Sequence, residues 1–190
     1  MPLNLPNLIT WLRILLIPLI IGVFYLPDTW LSMGGKNVAA TTIFVFAAVT
    51  DWLDGYLARA LNQMSAFGAF LDPVADKLMV AGALIVLLQL DRVESAVALI
   101  IIGREIAISA LREWMAKIGR SKSVTVAFVG KIKTVSQMVA VPLLLYHDEL
   151  FGSVNCQLLG TVLINVAAVL TVISMLYYLR RALPHAAETG

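Results

Sequence analysis

The sequence predicts an all-α integral membrane protein with six transmembrane helices, and three observations predict it. The first is composition: of 190 residues, 60% are hydrophobic and 14% charged, against about half and about a quarter in soluble domains. Mean hydropathy is +0.88. The second is a series of six apolar runs, each near the ~20 residues that a helix needs to cross a bilayer. The third is the placement of lysine and arginine, which matters more than the small net charge of +2.

The apolar runs are 8–26, 37–58, 70–90, 93–114, 126–146 and 153–180. The first reads as a retained helix, because further apolar runs follow it and no small-residue cleavage pattern closes it. Pro27, Gly34 and Gly35 mark the turn after it. Asp91 and Arg92 divide the third run from the fourth, and His147, Asp148 and Glu149 divide the fifth from the sixth. The sixth is long enough to tilt or to extend past the lipid. Pro18 and Pro142 sit inside runs, which membrane helices tolerate where neighbours satisfy the freed backbone groups. Residues 1–183 form one transmembrane domain, and 184–190 form a short polar tail that frays. Cys156, the single cysteine, permits no internal disulfide and reads as a packed thiol.

With six spans, one side carries Arg59, Arg112, Lys117, Arg120, Lys122, Lys131, Lys133, Arg180 and Arg181, and the other only Lys36 and Arg92. The basic side is then cytoplasmic, with both termini on it. The basic stretch 117–134 between the fourth and fifth runs fits a partly amphipathic helix in the interface. Trp11, Trp52, Trp114, Tyr177 and Tyr178 fall near inner span ends and read as interface anchors.

Asp51, Asp54, Asp72, Asp76, Lys77, Arg104, Glu105, Lys131 and Lys133 abut or interrupt apolar runs. A charge at that depth is expensive, so it is paired, hydrated in a cavity, or functional. Asp51 and Asp54 are three apart and Asp72 and Asp76 four apart, so each pair shares a helix face. Residues 55–70 between the pairs are few enough to turn between antiparallel helices, which brings the pairs together. Four carboxylates in one small volume repel each other. A hard cation with oxygen ligands relieves this, and Mg2+ or Mn2+ keeps positions open for phosphate oxygens. No cysteine or histidine lies in this stretch, which argues against zinc. A charge network fixing a polar core is the plainer alternative, but four acids at regular spacing beside small residues favour metal. Gly55, Ala58 and Gly68 remove bulk on or near the carboxylate face. Helix packing and clearance for a nucleotide or pyrophosphate both remain open for them. Arg59 suits a phosphate clamp, or simply flanks the membrane. Arg13, also within an apolar run, has snorkelling as its alternative to a role at depth.

Asp51, Asp54, Gly55, Ala58, Arg59, Gly68, Asp72 and Asp76 together read D-x2-D-G-x2-A-R-x8-G-x3-D-x3-D. This resembles the signature of the CDP-alcohol phosphatidyltransferase family at every fixed position. The segments LPNLITWLRILLIPL, AAVTDWLDGYLAR, FGAFLDPVADKLMV, REIAISALREWMA, VGKIKT and AAVLTVISMLYYL resemble the branch of that family whose acceptor is sn-glycerol 3-phosphate. The resemblance implies the family's fold of six transmembrane helices, a homodimer in the bacterial cytoplasmic (inner) membrane, and dependence on two Mg2+ or Mn2+ ions. It implies transfer of the phosphatidyl group from CDP-diacylglycerol to sn-glycerol 3-phosphate, giving phosphatidylglycerophosphate and CMP, with the site on the cytoplasmic side.

The resemblance also implies roles. Asp51, Asp54 and Asp72 hold metal, and Asp76 is the general base while also touching metal. Gly55, Ala58, Arg59 and Gly68 meet CDP-diacylglycerol. So do Asn7 and Thr10, whose alternative is to cap the first helix. The acceptor brings its own phosphate, so a basic pocket is required, for which Arg104, Arg112, Lys131 and Lys133 are the candidates. Glu105 is placed to orient a basic side chain beside it. Anionic headgroup contact is the alternative for Lys131 and Lys133. The partners implied are the two substrates and membrane lipids, with no nucleic acid. Two rivals stay open: a sister enzyme accepting inositol phosphate, phosphatidylglycerol or serine, and a transporter with a carboxylate relay. Small residues and Arg59 beside the acids fit the transporter less well.

Overall fold

The computed structural model describes residues 5–60, 66–118, 128–150 and 152–187. Apolar runs give the backbone no polar side-chain partners, so its amides are satisfied internally as helix. Among the described residues six helices form: α1 (Leu5–Val23), α2 (Met33–Ala60), α3 (Ala66–Gln89), α4 (Ser95–Lys117), α5 (Phe128–Tyr146) and α6 (Cys156–Ala187). The all-α expectation gives way at one place. A two-stranded antiparallel hairpin, β1 (Glu149–Leu150) with β2 (Val154–Asn155), fills the turn before α6. The basic stretch expected to form an interfacial helix lies partly outside the described residues, and α5 begins only at Phe128.

Three helix ends differ from the sequence reading, each for a local reason. Ser32 accepts from the Gly35 amide at 3.3 Å, so α2 starts at Met33, and Gly34 and Gly35 sit in its first turn rather than in a loop. Asn155 accepts from the Leu158 amide at 2.8 Å and caps α6. At its other end α6 runs on past Pro184 to Ala187, where a frayed tail was expected.

Among the described residues one helix, Cys156–Arg180, is long and apolar enough by itself to cross a membrane, with mean hydropathy 2.2. Leu8–Val23 and Ile132–Tyr146 are shorter apolar helices. The surface is nonetheless inverted relative to a water-soluble protein. Leu15, Leu99, Leu158 and Val169 are at least 60% exposed, while Arg13, Lys36, Arg104 and Lys133 are buried.

The packing alternates up and down. α1 packs on α2 and α3, α5 on α6 and α2, and α4 on α6. A shared apolar core includes Phe44, Met79, Leu84, Leu87, Ile101, Leu144 and Leu145. The α5–α6 contact is close because Gly160 has no side chain. A Cβ there would stand 2.7 Å from Leu144 Cγ and 3.2 Å from the Leu144 amide nitrogen, forcing the two backbones apart.

The end away from the aspartates is held by Arg92. Asp91 takes a left-handed conformation (φ 56) after α3, and the Arg92 amide bonds back to the Leu87 carbonyl at 2.9 Å. This glycine-type helix ending is built here on aspartate. It turns the Arg92 guanidinium toward the end of α5, where it donates to the Leu144 and Leu145 carbonyls at 3.1 and 2.8 Å, and to Asn37 of α2 at 2.9 Å. A cation on terminal carbonyls satisfies orphan acceptors and complements the helix dipole. Burial, then the Arg92 charge, hold the neighbouring His147 imidazole below its ordinary pKa. At neutral pH it therefore adds no second cation there.

Candidate active site

The helices bring the aspartate end together from both halves of the chain. Thr10 and Arg13 are one turn apart on α1 and share a face. The Thr10 hydroxyl donates to Asp72 Oδ1 at 2.6 Å. One nitrogen of Arg13 reaches Asp51 Oδ1 at 2.6 Å and Asp76 Oδ1 at 2.7 Å. α2 therefore supplies Asp51, α3 supplies Asp72 and Asp76 at i and i+4, and α1 meets Asp72 with a hydroxyl and Asp51 and Asp76 with one shared cation. Arg13 is wholly buried. The snorkelling alternative is thereby corrected, because carboxylates at depth offer nearer compensation than the membrane surface. Capping is corrected too. Asn7 and Thr10 both lie inside α1 rather than at its start.

The donor set at this point is all oxygen. A cationic nitrogen lies within reach of both the Asp51 and Asp76 carboxylates, and carboxylate oxygens are the donors that a hard cation takes. Among the described residues no three acidic, histidine or cysteine side chains close around one point. The fourth aspartate, Asp54, lies on α2, but its side chain is outside the described residues, as are those of Asn7, Arg59 and Lys131 and the surroundings of Gly55 and Ala58. Gly68 is buried in the first turn of α3.

Beside the carboxylates lies a cavity of about 290 Å³, walled by α2, α3, α4 and α5. Asp51 and Asp76 line one side of it, and Lys77, Arg104, Arg112 and Lys133 also line it. Three of the four basic residues read from the sequence as an acceptor pocket thus share one space with two of the aspartates. Glu105 holds the two most buried of them. It pairs with Lys133 and with Arg104, the latter at 3.3 Å. Lys133 is 2% exposed, and an ammonium at that burial needs such a partner. Arg104 Nε and Gln137 Oε1 are buried without a hydrogen-bond partner among the described residues, a state that a polar ligand would relieve.

Sequence reasoning missed three residues here. Lys77 was visible as a charge in an apolar run but had no assigned place. Arg13 had a signal in its spacing from Thr10, three residues along the same face. Tyr178 read as an interface anchor, yet it is wholly buried against Ile108 and Met115. A single tyrosine near a span end does not tell in sequence whether its ring faces headgroups or protein.

The profile of the CDP-alcohol phosphatidyltransferase family matches residues 3–173. A protein of Pseudomonas fluorescens named CDP-diacylglycerol–glycerol-3-phosphate 3-phosphatidyltransferase is 51% identical, over 98% of this chain and 94% of its own length. Proteins of the same name from Shigella flexneri serotype 5b and Escherichia coli K12 are each 48% identical, over 96% of both chains. Members of this family are membrane-associated and generally use a divalent metal. With the profile spanning most of the sequence and these relatives aligned nearly end to end, the chain belongs to the CDP-alcohol phosphatidyltransferase family.

Proposed function

We infer that this protein transfers the phosphatidyl group of CDP-diacylglycerol to sn-glycerol 3-phosphate, forming phosphatidylglycerophosphate and CMP. The observation that carries the reading is the single cavity in which Asp51 and Asp76 stand beside Arg104, Arg112 and Lys133. A reaction between a pyrophosphate donor and a phosphorylated alcohol needs both groups within reach of each other. The near full-length likeness to enzymes of that name supports it.

In this reading Arg104, Arg112, Lys131 and Lys133 hold the acceptor phosphate, with charge-assisted hydrogen bonds that orient the glycerol hydroxyl toward Asp76. Asp76 takes the hydroxyl proton as the oxygen attacks the phosphorus bearing diacylglycerol. The bond from that phosphorus to the CMP oxygen breaks, and CMP leaves with the bonding pair. Asn7, Thr10, Gly55, Ala58, Arg59 and Gly68 are the residues assigned to the CDP-diacylglycerol side. Asp51, Asp54, Asp72 and Asp76 would hold Mg2+ or Mn2+, as two ions, which supply charge neutralisation of the pyrophosphate and the leaving group. Arg13 keeps the Asp51 and Asp76 carboxylates side by side.

We place the chain in the bacterial inner membrane with six spans and with both termini and the site at the cytoplasmic face. The apolar exterior, the buried charges and the bias of lysine and arginine support this. A homodimer is proposed on the family resemblance alone.

The test is CMP release and lipid product from purified protein given CDP-diacylglycerol and a panel of alcohols. sn-Glycerol 3-phosphate is expected to be the preferred acceptor. Chelator is expected to abolish turnover, and Mg2+ or Mn2+ to restore it. Absence of phosphatidylglycerophosphate under those conditions refutes the reading. Within the same assay, Lys133→Ala is expected to raise the KM for glycerol phosphate about tenfold, the scale of one lost charge-assisted bond, with a smaller change for CDP-diacylglycerol. Equal effects on both substrates would remove Lys133 from the acceptor site.

A further inference from the structure

Helix α6 contributes nothing to the walls of the catalytic cavity among the described residues. It nevertheless makes specific contacts with two of that cavity's cations. Thr171, Ser174 and Tyr178 recur on one face of α6 at helical spacing, and all three are buried. Opposite them Arg104, Ile108 and Arg112 recur every four residues on one face of α4. Where the faces meet, the Tyr178 ring lies 5.9 Å from the Arg104 guanidinium carbon and 5.5 Å from that of Arg112. Ser174 Oγ accepts from Arg104 at 3.4 Å. Tyr177 meets the ring of Tyr178 edge-on, with centroids 5.8 Å apart.

Two guanidinium groups on one buried ring require an explanation, because like charges that share a neighbour repel. An aromatic face attracts a cation through its quadrupole, most strongly where water is excluded, as at the buried Arg104, and more weakly at the exposed Arg112. Glu105, the nearest acid to Arg104, is already shared with Lys133. The ring supplies attraction without adding an anion. A carboxylate in its place would neutralise both arginines and compete with an incoming phosphate. An aromatic ring fixes them and leaves their charge available.

We propose that Tyr178 is a positioning residue for the acceptor phosphate, acting from outside the cavity by seating Arg104 and Arg112 on its ring. The proposal rests on the acceptor assignment above. Tyr178 itself touches no substrate in this scheme.

The experiment compares the parent enzyme with Tyr178→Phe, Tyr178→Leu and a series of singly to multiply fluorinated phenylalanines introduced at position 178. Fluorination keeps the ring's outline while draining charge from its face, so the series remains informative if the leucine variant does not fold. Steady-state constants are read for glycerol phosphate and for CDP-diacylglycerol, together with thermal unfolding. Tyr178→Phe is expected to keep the KM for glycerol phosphate within about twofold of the parent. Tyr178→Leu is expected to raise it about five- to twentyfold, with KM for CDP-diacylglycerol and kcat changed less than about twofold. Along the fluorinated series the same KM rises with each fluorine. A flat series overturns the proposal, as does a Tyr178→Phe defect as large as that of leucine, which would assign the effect to the hydroxyl. Equal rises in both KM values would reduce the ring to packing. Failure of the functional reading shows separately, as a parent enzyme that forms no phosphatidylglycerophosphate at all.

Discussion

Asp76→Asn is expected to lower turnover by roughly 100-fold or more, the usual scale for loss of a general base. The change is nearly isosteric, and the remaining side-chain oxygen still accepts the Arg13 hydrogen bond now made to Asp76 Oδ1. The fold should therefore hold, with thermal unfolding close to that of the parent. Asp76 is assigned both proton transfer and metal contact, and these separate in a metal titration. If the lost function is the base, turnover stays low at saturating Mg2+ or Mn2+. Recovery of turnover at high metal would leave only a ligand role. Near-normal turnover at ordinary metal concentration would end the assignment altogether.

Arg13→Met is expected to destabilise the protein by about 3 kcal/mol, the scale seen when one partner of a buried ion pair is removed. The guanidinium is wholly buried, while the Asp51 and Asp76 side chains retain 31% and 39% exposure. Water therefore relieves part of the repulsion that the change unmasks. Methionine keeps the length and apolar bulk of the stem, so the loss reports charge rather than a cavity. In the proposed metal-bound state a divalent cation held by these carboxylates would supply neutralisation of the same kind. Unfolding of the variant should thus shift further with added Mg2+ than unfolding of the parent. Arg13→Lys should recover only part of the stability, because a point ammonium lacks the planar fork of a guanidinium. A methionine variant as stable as the parent in chelator would show that the two ion pairs contribute nothing.

Much of this architecture is legible from residue order alone, because lipid permits few solutions. The six helices follow from six apolar runs, and the antiparallel path from the short connections between them. The aspartates were legible because charge in an apolar run has few explanations. The meeting of α4 with α5 around Glu105 was only half legible. Glu105 was expected beside a basic residue, but its pairing with Lys133 joins positions 28 residues apart in sequence. No periodicity encodes such a distance. Arg92 was read as a loop charge and lies in the loop between α3 and α4, but that it also caps a helix distant in sequence depends on the left-handed turn at Asp91. Tyr178 was the furthest from legible. Its role depends on how α6 is rotated about its own axis, and an apolar helix carries little polar pattern to fix that rotation.

The apolar core between the Arg92 end and the aspartate end has a consequence for substitution. None of its residues, among them Phe44, Met79, Leu84, Leu87 and Leu144, carries a titratable group. A charge placed among them would find no partner within the cluster. A charged substitution at one of these positions should therefore destabilise the bundle far more than the same change at an exposed position such as Leu99 or Val169, a difference that thermal unfolding would read.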